Sequence, residues 1–351
     1  MPRRVTPPRS VAVETLRRQS IAGNESPILQ ARIAFSEAEG LARYARSMKD
    51  VERVFPHWHP LAQASGRWST TDPPLVNFPA NDPQYPVAWG MIVPDPGWVF
   101  LHYDMDSLHA RIAAAYTKDP DDLAAFRNGW DVHTSTACRM FGWSFLPPNQ
   151  VGDPLNPPWA GKQDRRRHLA KTLRYALLLG LNEHAALRAP EIHKLGLTHD
   201  EILQFARAYL RSKPEMVATR KRIWAECLRV GRARSFMGRL RRLTFDPRSK
   251  TSTDEAMKEG WSHILQGGEQ DIMTTILADV GEAVPEAFLT LNSHDGHVWA
   301  LPDSLGPPQA LYTRLRPLVE RTWTIQGEGV PIPAEWEVID SSGEVVRLGN
   351  G

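Results

Sequence analysis

Cysteine is nearly absent from this 351-residue sequence, which contains only Cys138 and Cys227. Two cysteines cannot build a disulfide framework or a cysteine-based zinc site, and such low usage fits a reducing compartment. The chain also lacks any run near the roughly 20 apolar residues of a membrane span. Its first ten residues, MPRRVTPPRS, lack the apolar core of a signal peptide. We therefore expect a cytoplasmic protein.

The sequence also lacks a large excess of either charge, because 42 Lys and Arg residues are balanced by 40 Asp and Glu residues, for a net charge of +2. Arginine is nevertheless unevenly distributed. One cluster covers residues 165–167, and a second contains Arg232, Arg234, Arg239, Arg241, Arg242 and Arg248. The guanidinium group is a permanent bidentate donor that suits phosphate. The same clusters are also typical of solvated helix faces, so composition alone leaves both interpretations open.

Hydrophobic periodicity predicts a mixed chain with helices and a few strands, long enough for two or three sub-domains. The expected strands are 98–103, which leads into Asp104, and 288–292 with its hairpin partner 298–301. Expected helices begin at Ser26-Pro27 and cover 107–116, 164–181, 199–212, 214–231 and 254–281. Between them we expect a proline-dense linker over 146–159 and a basic loop over 232–253.

Two aspartates stand where predicted strands end or turn, Asp104 and Asp295. A strand terminus is rigid, and carboxylates on rigid elements can hold the hard divalent cations that phosphoryl transfer uses. Aspartates at strand ends are more often simple turn formers, so the pair alone does not identify a site.

The predicted helix over 164–181 carries Arg167, Lys171 and Tyr175 at intervals of four, which places them along one face. Two cations followed by an aromatic ring suit a triphosphate with a sugar or base beyond it. The alternative is a solvated basic stripe next to one buried tyrosine.

Several segments match a known family in order and spacing. They are DMDSLH (104–109), RHLAKTLRY (167–175, with Gly180 beyond it) and SHD (293–295), flanked by SGRWSTTDPPLVNFP (65–79), FRNGWDVHT (126–134) and LQG (265–267, with Asp271-Ile272 following). The first three resemble motifs A, B and C of family A DNA polymerases, especially the mitochondrial replicative branch. The resemblance extends over roughly residues 10–345.

The resemblance implies an α+β polymerase right-hand fold with an antiparallel palm sheet, helical fingers and a thumb that is largely missing. The implied divisions are 1–55 for an N-terminal arm and thumb remnant, 56–118 for the first part of the palm, 119–253 for the fingers and 254–351 for the second part of the palm. We expect no proofreading domain in this chain, and a separate polypeptide that supplies a thumb or exonuclease. A bacterial or phage-infected cell is the expected setting.

The resemblance also implies a role for each matching residue in magnesium-dependent primer extension from dNTPs. The expected ligands of two Mg²⁺ ions are Asp104, Asp295 and the backbone carbonyl of Met105. The expected nucleotide-binding residues are Arg167, Lys171, Tyr175 and His109. The expected contacts to primer-template DNA are Arg67, Asn77, Gln266, His294 and Lys258.

Some positions depart from the family pattern. His109 stands where motif A has a glutamate on the 2′ side of the sugar, Gly296 replaces the motif C glutamate, and Leu179 replaces a motif B tyrosine. Lys258 and Ser262 stand where arginine and asparagine are expected. Two alternatives therefore stay open: a polymerase with relaxed sugar selectivity or RNA synthesis, and a non-catalytic DNA-binding replisome subunit derived from a polymerase.

Overall fold

The computed structural model describes residues 26–49, 51–60, 62–77, 92–140, 165–180, 183–186 and 197–349. Its helices are α1 (Pro27–Met48), α2 (Leu108–Thr117), α3 (Pro120–Arg127), α4 (Val132–Met140), α5 (Arg165–Leu178), α6 (Glu183–Ala186), α7 (His199–Arg211), α8 (Pro214–Val230), α9 (Lys250–Ala283) and α10 (Pro308–Val319), with short 3₁₀ helices at Leu75–Asn77 and Asp303–Leu305. Its strands are β1 (His57–His59), β2 (Ser69–Thr71), β3 (Trp98–Met105), β4 (Arg232–Arg234), β5 (Leu240–Arg242), β6 (Phe288–Asn292), β7 (Gly296–Pro302), β8 (Arg321–Ile325), β9 (Glu328–Ile332), β10 (Ala334–Ile339) and β11 (Val345–Leu348).

Most of the sequence-predicted elements are confirmed, including the strand that leads into Asp104 and the hairpin around Asp295. The expected basic loop over 232–253 is wrong in two respects. Strands β4 and β5 form a short hairpin within it, and α9 already begins at Lys250. The helix starts early because the Ser249 side chain accepts a hydrogen bond from the Ser252 amide and caps it. The N-terminal arm over 1–25 and the linker over 146–159 lie outside the described residues.

A five-stranded antiparallel sheet in the order β11–β10–β3–β7–β6 forms the base of the molecule. Strand β3 lies in its centre, and residues 99–103 are buried without alternation. Such a pattern means that both faces of the central strand are covered, and this accounts for its nearly continuous apolar sequence. The rigid, fully paired strand ends beside the turn that carries Asp295.

Helix α9 connects the sheet to the helical half of the molecule. Its 34 residues extend over about 51 Å at 1.5 Å per residue, and most of its middle is buried. Trp261 on α9 is fully buried, and its indole Nε1 donates to the Leu178 carbonyl oxygen at 2.6 Å. Gly260 allows α8 to approach, because a Cβ there would lie 2.7 Å from the Cys227 sulfur. Among the described residues, no helix is both long and apolar enough to cross a membrane.

Helix α5 is anchored by a buried ion network. The Arg174 guanidinium donates to Asp122 at 2.8 Å and to the Thr136 hydroxyl at 3.0 Å. Lys213 donates to Asp119 at 2.9 Å and to Asp122 at 2.7 Å. Buried charges are tolerated only when they are paired and hydrogen-bonded, as these are. The network therefore fixes α5 against α3 and the start of α8.

His297 is a titratable group inside the sheet core, and it makes stability depend on pH. Its Nδ1 lies 2.6 Å from the Tyr103 hydroxyl, and burial lowers its pKa to about 3. The folded protein keeps this imidazole neutral, whereas the unfolded chain protonates it near pH 6.5. The contribution of His297 to the free energy of unfolding should therefore fall by about 1.4 kcal/mol per pH unit as the pH drops below 6.5.

Urea denaturation at pH 7, 6 and 5 measures this slope. The matched variant is His297→Gln, whose uncharged amide can still pair with Tyr103 but does not titrate. We expect a shallower slope in the variant, with a remainder from His133, whose pKa is also lowered to about 3 by burial and then by Arg174. A variant slope equal to that of the wild type would assign the pH dependence to other groups.

Candidate active site

The sheet brings the two predicted aspartates together. Asp104 is the penultimate residue of β3 and lies opposite Gly296 of β7, so Asp295 in the preceding turn is its neighbour. The Met105 amide donates to the Asp295 carbonyl oxygen at 2.8 Å, which fixes this turn to the end of β3. His294 occupies the left-handed region at φ 69° within the same turn. Two residues that are 191 positions apart in the sequence are thus neighbours, one on β3 and one in the turn before β7.

The pair carries an unfavourable concentration of negative charge. Burial raises the pKa of Asp104 to about 8, together with the charge of Asp295 and a hydrogen bond between the two side chains. The pKa of Asp295 is raised as well, first by burial and then by the charge of Glu269. A bound cation would stabilise the ionised form of two such buried, neighbouring carboxylates. Their oxygens are the hard ligands that divalent cations prefer.

These two carboxylates are the metal-binding candidates of the structure. Within the described ranges, no group of three or more His, Cys, Asp or Glu side chains is arranged to hold a metal ion. The described residues thus offer a pair of carboxylates here rather than a complete set of side-chain ligands. The Met105 carbonyl follows Asp104 directly in the chain, and its role as a ligand stays a prediction.

Gly296, which replaces the motif C glutamate, is required by the close approach of β3. A Cβ at this position would lie 2.6 Å from the Tyr103 carbonyl oxygen and 3.2 Å from Asp104 Oδ1. We expect Gly296→Ala to lower the free energy of unfolding by about 1–3 kcal/mol, because backbone or Asp104 must move. Urea denaturation measures the loss.

Gly281 offers a control of opposite sign. It lies within α9, and a Cβ there would meet nothing within 4 Å. Gly281→Ala should raise the free energy of unfolding by about 0.5–1 kcal/mol, because alanine favours the helix. A similar small gain for Gly296→Ala would show that position 296 has room for a side chain.

The predicted helix face of α5 is only partly available to a ligand. Lys171 is exposed. Arg167 forms a bidentate pair with Asp131, Nε to Oδ2 at 2.5 Å and Nη2 to Oδ1 at 3.0 Å. Thr134 donates its hydroxyl to the same carboxylate at 2.5 Å. Arg167 is thus held by Asp131 of the segment before α4, and a triphosphate would have to replace that partner.

Tyr175 links α5 to the aspartates. Its ring lies 5.6 Å from the His133 ring, centroid to centroid, and it interacts with the side chain of Ser107. Burial raises the pKa of the Tyr175 hydroxyl, and the charge of Asp295 contributes to the shift. Tyr175 on α5 therefore lies within electrostatic range of Asp295.

The predicted DNA contacts lie on several separate elements. Gln266 and Lys258 are both half-buried on α9, eight residues or about 12 Å apart along the helix. His294 is half-buried in the Asp295 turn, where burial and then the charge of Arg67 lower its pKa. Asn77 ends the 3₁₀ helix at Leu75–Asn77, and its side chain lies outside the described part of the chain.

Three residues with clear contacts were missed by sequence reasoning: Asp131, His133 and Glu269. Asp131 and His133 belong to the segment 126–134, which matched the family but received no role. Glu269 follows Gln266 by three positions, on the same side of α9. It is fully buried and pairs with both Arg67 and His109. A glutamate in the long buried stretch of a helix was the available signal.

Comparison with known proteins shows which proteins this chain is similar to. The model of DNA polymerase family A matches residues 10–307. The chain is 27% identical over 289 residues to the thermostable DNA polymerase I of Thermus thermophilus, covering 82% of this chain and 32% of that protein. It is 29% identical over 259 residues to the thermostable DNA polymerase I of Thermus filiformis, covering 72% and 28%. The chain thus spans about a third of the length of these curated relatives.

A solved structure shares the fold. The POL domain of Pol1 from M. smegmatis, in complex with DNA primer-template and dNTP, has a TM-score of 0.76 at 19% identity, covering 95% of this chain and 56% of that chain. The expected right-hand fold, with an antiparallel sheet and separate helices, is therefore confirmed. Because the family model covers well over half of the sequence, the chain belongs to DNA polymerase family A.

Proposed function

We propose that this chain is a DNA-directed DNA polymerase that extends the 3′-end of a primer by nucleotidyl transfer from dNTPs. The observation that supports this most directly is that Tyr175 of α5 lies near both the segment of Asp104 and Asp295. Tyr175 of α5 interacts with Ser107, which follows Asp104 by three residues. The charge of Asp295 contributes to the raised pKa of the Tyr175 hydroxyl. A carboxylate pair facing a helix that carries two cations and an aromatic ring is suited to a nucleoside triphosphate. Family membership agrees with this chemistry.

Family A polymerases are generally metal-dependent, and the carboxylate pair fits cations. We assign Asp104, Asp295 and the Met105 carbonyl to two Mg²⁺ ions, since bound positive charge would offset the burial and then the repulsion by Asp295 that raise the pKa of Asp104. When bound, the ions lower the pKa of the primer 3′-hydroxyl and neutralise charge on the departing pyrophosphate. The two aspartates, at the end of β3 and in the turn before β7, would hold such ions on a rigid part of the sheet.

Helix α5 and the first turn of α2 would hold the incoming nucleotide. Exposed Lys171 is free to approach the triphosphate, and Arg167 joins it once phosphate oxygens replace Asp131. Tyr175 packs against the sugar. His109, in the first turn of α2, closes the 2′ side. In these assignments the Lys171 and Arg167 side chains neutralise the charge of the triphosphate, and the Tyr175 and His109 rings position the sugar.

The DNA side of the site is assigned to residues from several segments. Arg67 and Gln266 contact the minor groove near the primer terminus, where A·T and G·C pairs present acceptors in similar places. This permits checking of pair geometry without reading sequence. His294, Asn77 and Lys258 contact the primer-template backbone. We place this activity in the cytoplasm of a bacterial or phage-infected cell, with DNA replication or repair as the process.

A magnesium-dependent primer-extension assay tests the proposal, with dNTPs and NTPs in parallel and an EDTA control. We expect extension with dNTPs that disappears on chelation. Extension with NTPs at a comparable rate would favour the alternative of relaxed sugar selectivity, which His109 at a glutamate position motivates.

The absence of extension, even with proteins that co-purify with the chain, would favour a non-catalytic DNA-binding role. We also propose that a separate polypeptide adds thumb or exonuclease contacts. Robust processive synthesis by this chain alone would contradict that part.

A further inference from the structure

One fully buried carboxylate joins the nucleotide side of the site to the DNA side. Glu269, on α9, accepts two hydrogen bonds from the Arg67 guanidinium, Nε to Oε1 at 2.8 Å and Nη2 to Oε2 at 2.9 Å. The same Oε2 lies 2.5 Å from His109 Nε2. The Glu269 side chain has no exposed surface, whereas those of Arg67 and His109 are each 15% exposed. The three residues come from three separate segments of the chain.

The types of side chain in this cluster determine which atom donates each hydrogen bond. An ionised carboxylate only accepts hydrogen bonds, and an arginine only donates. His109 Nε2 is within 2.5 Å of Glu269 Oε2 and 3.0 Å of Arg67 Nη2. The nitrogen therefore carries the proton and donates to Glu269. Arg67 supports the ring only through the same carboxylate, so the orientation of His109 depends on Glu269.

Glu269 remains charged in this position. Burial alone would raise its pKa, but the charges and hydrogen bonds of His109 and Arg67 outweigh burial and keep the pKa below its usual range. Its charge also contributes to the raised pKa of Asp295, second only to burial. The cluster is therefore within electrostatic reach of the candidate metal ligands.

We propose that Glu269 is a positioning residue for sugar selection, because it fixes the His109 ring at the nucleotide side and ties that ring to Arg67 at the primer side. This inference rests on the proposed function. Position 109 itself lacks a carboxylate, and Glu269 supplies one from another helix. A loosened His109 ring leaves more room at the 2′ position, so ribonucleotides should gain more than deoxyribonucleotides when Glu269 is changed.

The test is steady-state primer extension with kcat and KM measured separately for a dNTP and the matching NTP. Glu269→Gln keeps the size of the side chain and removes its charge. We expect the dNTP-to-NTP ratio of kcat/KM to fall about tenfold, the scale of one charged hydrogen bond, chiefly through a lower KM for the NTP. His109→Ala should lower the ratio as well, and the double variant should fall no further than His109→Ala alone.

A matched control lies two residues away on the same helix. Asp271 pairs with Arg239 at 2.8 Å and is also buried. Asp271→Asn should share any general loss of stability while the sugar ratio stays at the wild-type value. If Glu269→Gln does not fold, Glu269→Asp keeps the charge with a shorter reach, and we expect an intermediate ratio.

The possible outcomes distinguish failure of the inference about Glu269 from failure of the proposed function. A wild-type protein that extends with dNTPs, together with an unchanged ratio in the Glu269 variant, overturns the inference alone. Additive effects of Glu269→Gln and His109→Ala overturn it too, because Glu269 would then not act through His109. A wild-type protein that shows no extension overturns the proposed function and the inference with it.

Discussion

Replacing Asp104 or Asp295 with asparagine is expected to slow primer extension by at least about a thousandfold. Asparagine has nearly the same size but no charge, so each variant keeps the turn and loses the negative charge that would attract the proposed cations. Metal charge stabilisation amounts to several kcal/mol, and each 1.4 kcal/mol is about tenfold in rate. Single-turnover extension at saturating dNTP and Mg²⁺ measures the effect, because it isolates the chemical step from product release.

Asp106 provides the matched control for these variants. It lies in the same segment as Asp104, but its carboxylate pairs with Arg111 at 2.7 Å. Asp106→Asn should therefore extend primers within about tenfold of the wild-type rate. Extension by Asp104→Asn or Asp295→Asn at the control rate would remove that aspartate from the reaction.

Asp122→Ala is expected to lower the free energy of unfolding by about 3–5 kcal/mol, the usual cost of breaking a buried ion pair. Asp122 accepts from Arg174 and Lys213, which lie on or beside different helices. Burial alone would raise its pKa, but the charges of these two cations lower it. Among the residues that the structure describes, removing the carboxylate leaves Arg174 buried without an ionic partner and Lys213 paired with Asp119 alone. Urea denaturation at pH 7 measures the loss.

A surface pair shows how much of that loss comes from burial. Glu226 and Arg229 pair at 2.6 Å on α8, and both side chains are largely exposed. Glu226→Ala removes a carboxylate from an ion pair of similar length in water, where such pairs contribute little. Its denaturation midpoint should match that of the wild type. Equal losses in the two variants would show that the Arg174 network stabilises no more than a surface contact.

The sequence was sufficient to predict the elements that carry the aspartates. The run Trp98–Met105 is apolar, aromatic and bounded by a polar turn, and Phe288–Asn292 repeats that pattern. The β4–β5 hairpin was missed because its strands, Arg-Ala-Arg and Leu-Arg-Arg, are short and lack an apolar stripe. Hydrophobic patterning detects an element only when one of its faces is buried.

The polar contacts of the site could not be predicted in the same way. Arg167 was expected to face a ligand, but its pairing with Asp131 joins residues 36 positions apart. Glu269 contacts Arg67 across 202 positions. Such pairs depend on how the elements pack, and no local period encodes them. The roles of the site residues stay predictions, whereas the fold and the family are established.

The central position of β3 in the sheet affects how the chain folds during its synthesis. Its two sheet neighbours are β7, which starts at Gly296, and β10, which starts at Ala334. At about 5–20 residues per second, a ribosome needs roughly 11–46 s to advance from residue 105 to 334. Until β7 is complete at residue 302 the apolar strand has no sheet partner, and until β10 is made it has only β7, so the nascent chain exposes a strand edge that can self-associate. The aspartate pair is consequently among the last features to form during synthesis.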